Sequence, residues 1–262
     1  VNTTYYTRKK GACNSTGCIS KEVTVTVPSG TWTGATDTDW NTGGNWYGGS
    51  VPTYQTDVII PSSPSGSRWP VISTSEEADC YNLTIQSGAS LTINSESAKS
   101  GSLIVHGDAS GTGVTFNRWM ESTRWYIVSS PVSNSSVSAI VNGTNVDFFD
   151  GAYDFADYTE STNSWNYWAS VSGNFASGKG YLISPLASAA YSFTGSVNNG
   201  NVATPVSFTS GTRYGWNAVG NPYTSAINAG TFLTHNSTLL RPSHVAMYIW
   251  NETGNWDEND SN

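Results

Sequence analysis

Leu83-Thr84-Ile85-Gln86-Ser87-Gly88-Ala89-Ser90-Leu91-Thr92-Ile93 holds two triplets in which apolar residues flank one threonine, joined by a five-residue corner. Side chains alternate across a strand, so each triplet buries its first and third residues and turns the middle one outward. The pattern spreads in both directions, to Val58-Ile59-Ile60 on one side and to Leu103-Ile104-Val105 and Val114-Thr115-Phe116 on the other. Lys21 to Val27 alternates in the same way. No stretch of about a dozen residues sustains an apolar 3.6 period, so the chain reads as all-β. Short triplets with short corners are how a β-solenoid presents its inward face, and a meandering sandwich presents the same triplets. Steps of 8, 12 and 11 residues from Leu83 to Leu91 to Leu103 to Val114 are too uneven for a strict repeat, which leaves both architectures open.

Composition narrows the function classes. Across 262 residues, 11 Lys plus Arg face 19 Asp plus Glu, a net charge of −8. Phosphate binding needs clustered cations, so nucleic acid and anionic membrane surfaces are poor partners. No apolar run approaches the roughly 20 residues that span a bilayer, which argues against membrane insertion. Charged residues make up only 11% of the chain, while 13% aromatic content with 11 Trp demands a folded core. Val1 reads like the middle of a strand, and the chain is expected to be a piece of a longer protein.

Pro28-Ser29-Gly30 breaks the first alternating strand, so residues 1–28 read as the end of a preceding domain and 29–117 as a Trp/Gly-rich β module with solenoid-like coils. Residues 118–262 carry an internal duplication. Trp125-Tyr126-Ile127-Val128-Ser129-Ser130-Pro131 matches Trp216-Asn217-Ala218-Val219-Gly220-Asn221-Pro222, and Trp165 matches Trp256, both 91 residues apart (125 to 216, 165 to 256). The expectation is a first copy over 118–209 and a truncated second copy over 210–262, each sandwich-like, with Trp125 and Trp216 both buried beside their prolines.

Candidate sites follow from residue chemistry. Cys13 and Cys18 flank the turn-forming Asn14-Ser15-Thr16-Gly17, which suits either a disulfide or a pair of reduced thiols, with Cys80 unpaired. Asp147, Asp150 and Asp154 stand three to four residues apart in an acidic run that continues to Asp157 and Glu160. Such a run can offer oxygens to Ca²⁺, or form a solvated loop carrying Phe148, Phe149, Tyr153 and Phe155 into a core. Otherwise no cofactor is expected. His106, His235 and His244 lie in no nucleophile motif, so the chain is expected not to be an enzyme. Flat indoles stack on the C–H faces of sugars, which makes two tryptophan groups candidate glycan platforms. The first is Trp40, Trp46 and Tyr47 in the segment NTGGNWYGG, and the second is Trp165 and Trp168 with Tyr167. Strand alternation puts Trp165 and Tyr167 on one face and Trp168 on the other.

The sequence also resembles a recurrent arrangement in large secreted and cell-surface proteins of Bacteroidota, many exported by the type IX secretion system. Tyr5 to Val27 is similar to the end of an immunoglobulin-like repeat, and Trp32-Thr33-Gly34 through Pro61 to the opening of a following module. Cys80 to Ile93 resembles its coil-like body, and Trp125 to Pro131, Gly178-Lys179-Gly180-Tyr181-Leu182 and Gly215 to Pro222 resemble the module near the C-termini of such proteins. The resemblance implies an extracellular, modular, adhesive protein without a catalytic residue in this stretch. Its implied partners are a surface glycan or polysaccharide and other domains of the same long chain. The alternative it leaves open is a carbohydrate-binding module attached to a polysaccharide-degrading enzyme.

Overall fold

The computed structural model describes the backbone of residues 3–7 and 19–23, and residues 26–97, 99–211, 215–240 and 245–249 in full. Strands dominate it. The first two, β1 (Thr3–Thr7) and β2 (Ile19–Val23), form an antiparallel hairpin. Cys13 and Cys18 lie outside the described residues.

The triplets then lie in a parallel stack. One turn of the chain supplies β3 (Val58–Ile60), β4 (Val71–Ile72) and β5 (Glu77–Cys80). The next supplies β6 (Leu83–Ile85), β7 (Leu91–Ile93), a small hairpin of β8 (Ser95–Glu96) and β9 (Lys99–Ser100), and β10 (Ser102–Val105). A third begins with β11 (Ala109–Ser110) and β12 (Val114–Met120). Each strand pairs in parallel with its counterpart one turn away: β3 with β6 and β6 with β11, β4 with β7 and β7 with β12, β5 with β10. Matching positions put Val58, Ile60, Leu83, Ile85, Leu91, Ile93, Leu103 and Val114 inside, all buried. The bridges Thr31↔Ile59 and Asp39↔Val71 continue two faces upward, so the Trp/Gly-rich segment covers the first end of the stack.

The other end changes character through β12, which has seven residues and accepts a second neighbour. It pairs antiparallel with β20 (Ala189–Val197) from Val114↔Gly195 to Met120↔Ala189. Between these two strands the chain builds β13 (Tyr126–Val128), β14 (Val132–Ser133), the single turn α1 (Val137–Ile140), β15 (Phe148–Phe149), β16 (Ala152–Tyr153), β17 (Phe155–Thr159), β18 (Ser164–Tyr167) and β19 (Tyr181–Ile183). Strands β13, β19, β17 and β18 make an antiparallel sheet in that order. One continuous apolar cluster runs from Trp32 in the Trp/Gly-rich segment to Phe193 in β20.

The described residues between 201 and 249 differ: they carry one α-helix, α2 (Ala229–Asn236), which has no buried side chain. Trp216 is 46% exposed and Trp125 half-buried, which corrects the expectation that both rings are buried. No helix among the described residues is long and apolar enough to cross a membrane.

Candidate functional site

The first tryptophan group is a packing corner. Trp40 and Trp46 are fully buried, and only Tyr47 reaches solvent. Trp46 meets Trp32 edge to face at 4.9 Å and Trp40 at 4.7 Å. Its indole N–H donates to the Trp40 carbonyl at 2.7 Å, and that of Trp32 donates to the Arg68 carbonyl at 2.7 Å. Neither Trp40 nor Trp46 can stack on a sugar, because the rings of the trio occupy each other's faces and edges. Asn45, fully buried, fixes the loop by accepting from the Thr36 and Asp37 backbone and donating to Asp37 Oδ1 at 2.6 Å.

The second group divides as its alternation requires. In the four-stranded sheet, Tyr158 stands opposite Trp165, and Ala156 opposite Tyr167. Ala156 also faces Leu182, which faces Ile127, so these six residues share one side of the sheet. Trp125, two residues before Ile127, reaches the same side and meets Tyr167 edge to face at 6.1 Å. Tyr158 and Trp165 meet likewise at 5.2 Å. Ala156 and Leu182 are buried, whereas Tyr167 is 45% exposed and Trp165, Trp125 and Tyr158 are half-buried. The result is a row of four aromatic rings with partly open surfaces on a hydrogen-bonded platform. Trp168 belongs to the core side instead. It packs on Phe155 at 5.1 Å and donates to Asp157 Oδ1 at 2.8 Å, which removes it from the platform.

The acidic run does not assemble a metal centre: among the described residues no group of three or more His, Cys, Asp or Glu side chains could hold a metal ion. Asp150 and Gly151, with φ of 49° and 85°, form the two-residue turn between β15 and β16, the positive-φ conformation that Asp-Gly favours. The Asp154 N–H donates to the Asp147 carbonyl at 2.9 Å, so this pair closes the hairpin base. Burial, with the neighbouring Asp147 charge, raises the Asp154 carboxyl above the ordinary range. Phe148 and Phe149 stand exposed on the hairpin, Phe149 at 77%, while Phe155 is buried. The aromatic members of this loop therefore do not all enter a core.

Asp157 and Glu160 are structural anchors. Burial raises Asp157, but hydrogen bonds from Lys179 Nζ at 2.6 Å and the Trp168 indole, with the lysine charge, outweigh it and leave the carboxyl below its usual range. Glu160 is buried and accepts from the Thr209 N–H at 2.9 Å, the Thr209 hydroxyl at 2.8 Å and the Ser207 hydroxyl at 3.3 Å. The Thr209 backbone bond leads these in holding the carboxyl low. Sequence reading missed this anchor because its partners lie nearly fifty residues downstream.

The bonds of the two described histidines run to a carboxylate and to a backbone carbonyl. His106 Nε2 bonds Asp79 Oδ1 at 2.8 Å beside the ring of Tyr54. The adjoining cleft of about 470 Å³ is lined by His106, Gly107, Asp108, Ala109 and the stretch 197–200, none of them Ser, Thr, Cys or Lys. His235 Nδ1 bonds the Thr231 carbonyl within α2, and His244 lies outside the described residues. Burial, then the charges of Asp79 and Asp57, push the Cys80 thiol to about 12, far from a reactive thiolate.

No curated protein and no solved structure matches this chain. Residues 31–262, which take in the stack, its tryptophan cover and the aromatic sheet, match the family described as Domain of unknown function (DUF8693), and the chain belongs to that family.

Proposed function

We propose that this chain is a non-catalytic structural and adhesive segment of a large extracellular surface protein. The parallel stack serves as a stiff mount, and the outer face of the four-stranded sheet binds polysaccharide. The observation that carries the reading is the row Trp125, Tyr158, Trp165 and Tyr167, on one face of a sheet whose other face is anchored in the core. Rings mounted on paired strands lose little entropy on stacking, since each has two torsions to fix. Pyranose C–H faces fit such rings, and the surrounding Ser, Thr and Asn side chains can bond sugar hydroxyls. Contact with a single sugar chain is expected in the millimolar to high-micromolar range, about 4 to 6 kcal/mol. Placement outside the cell is part of the same proposal, since repeated weak contacts along a surface protein sum through effective concentration.

Affinity electrophoresis against a panel of neutral soluble polysaccharides tests it. At least one should retard the wild type, and Tyr167→Ala should weaken that retardation about tenfold, the loss expected for truncating a contact aromatic. Tyr47→Ala, on the opposite tryptophan corner, should leave it unchanged. Equal retardation of wild type and Tyr167→Ala, or none with any polysaccharide, overturns the assignment.

A further inference from the structure

Five Lys and Arg side chains stand among the described residues, and three of them are spent on the fold's own groups. Arg68 donates to the Gly34 and Ala35 carbonyls, Lys179 holds Asp157, and Arg124 Nη2 pairs with Glu121 Oε2 at 2.9 Å. Lys99 stands exposed on the hairpin of β8 and β9. Arg118 forms no ion pair among the described residues, and it lines a cleft of about 230 Å³ with Ser97, Trp119, Glu121, Arg124 and Tyr126. Two of the five cations thus meet at one place on a chain whose net charge is −8.

The walls of this cleft are fixed by the fold. β12 continues beyond its pairing with β7, which ends at Phe116, and there the Trp119 N–H donates to Ser95 Oγ of β8 at 3.2 Å. The chain then turns, with the Ser122 N–H donating to Ser188 Oγ at 3.0 Å. It returns as β13, where the Tyr126 hydroxyl accepts from the Glu121 N–H at 2.8 Å. Within these walls the Trp119 indole N–H is buried and has no acceptor. Buried donors are nearly always paired, so an orphan in the wall of a cleft marks an acceptor that the fold itself does not supply.

The side chains state what the ligand must carry. Arg118 and Arg124 against Glu121 leave one positive charge, which selects an anion. A guanidinium is a planar fork that matches a carboxylate through two parallel N–H···O bonds. Glu121 adds a condition: an ionised carboxylate accepts and cannot donate, so the ligand must bring a hydroxyl beside its own carboxylate. Sulfate has no proton to offer there. The volume lies below the roughly 300 Å³ at which sites for drug-sized ligands begin, which leaves room for one small ring. We propose that this cleft binds a single uronic acid residue, with its carboxylate on Arg118, its neighbouring hydroxyl on Glu121 and an oxygen toward the Trp119 indole N–H. This ligand differs from that of the row Trp125, Tyr158, Trp165 and Tyr167, which takes uncharged sugar faces, so either site can fail alone.

Sodium glucuronate is titrated into the whole chain while the indole N–H resonances are followed by NMR, with glucose and sodium acetate as comparisons at the same ionic strength. The Trp119 resonance, identified by its loss in Trp119→Phe, should move saturably with glucuronate and not with glucose. Acetate, which lacks the hydroxyl, should bind at least about tenfold more weakly. Arg118→Ala should weaken glucuronate at least about tenfold, as for a contact arginine, without lowering the melting temperature of a chain in which that side chain is exposed. Tyr167→Ala should bind glucuronate as the wild type does. No saturable movement with glucuronate, equal affinity for acetate or glucose, or unchanged affinity in Arg118→Ala overturns the proposal.

Discussion

Trp46 sits beside glycines that offer no side chain to cover it, and its ring is nevertheless closed off by Trp32 and Trp40. The cover comes from 14 positions upstream (32 to 46) and from a loop fold set by Asn45, neither of which strand alternation reports. That is why the second tryptophan group was readable and the first was not: Trp165 and Tyr167 obey a strand period, whereas the NTGGNWYGG segment has none. Trp46→Ala should therefore cost about 3–5 kcal/mol in urea unfolding, the usual loss for a buried aromatic. Tyr47→Ala should stay within about 0.5 kcal/mol, as for surface sites generally. Glu160 gives a second test at this scale. Its carboxyl is held below the ordinary glutamate range by the Thr209 backbone and hydroxyl bonds, so its stabilisation is complete above that range and is lost as pH falls through the folded value. Glu160→Gln should be less stable than wild type at pH 7 and should converge with it once the pH lies below the folded value. A constant gap across urea melts at both pH values would mean that the carboxylate charge is not what holds Ser207 and Thr209.

At the scale of strands, the triplets were legible from the outset and their period was not. Leu83, Leu91 and Leu103 lie on three successive faces of one turn, so the uneven steps between them measure the sides of a coil. The repeat appears only between partners across the stack: Val58 pairs with Leu83 after 25 residues (58 to 83) and Leu83 with Ala109 after 26 (83 to 109). Corners absorb the differences through glycines, and these are not equivalent. Gly111 has φ of 93° and a Cβ there would run into the Ile85 carbonyl oxygen, while Gly88 has φ of 84° and open space around it. Gly88→Ala should cost only the left-handed strain, about 1–2 kcal/mol. Gly111→Ala adds a clash with the backbone of the neighbouring turn and should be clearly worse, with a larger drop in melting temperature. Equal drops would show that the stacked turns yield at this corner, contrary to the close parallel pairing of β6 with β11.

Across the whole molecule, the filled core and the described residues of the second copy, few of them buried, are joined by a small number of ties, among them Thr224. It is buried, its hydroxyl donates to the Leu103 carbonyl at 2.8 Å, and its own carbonyl accepts from the Leu103 N–H at 3.1 Å. A residue of the second copy thus extends β10, the outer strand of the third face. Asn198 supports it by donating to the Pro222 carbonyl at 2.7 Å. Neither contact was visible in the sequence, because a single threonine more than a hundred residues from its partner carries no period. Thr224→Val keeps the shape and removes the hydroxyl, leaving the Leu103 carbonyl without that donor at a cost of about 1–3 kcal/mol. Because the described residues of the second copy bury little else, the loss should appear as local opening. The Leu103 amide should exchange faster by roughly tenfold or more, since 1.4 kcal/mol is a factor of ten. The Thr92 amide, bonded to the Pro70 carbonyl inside the stack, should keep its wild-type rate. If both amides accelerate together, the second copy and the stack unfold as one unit, and Thr224 contributes to global stability and does not act as a detachable tie.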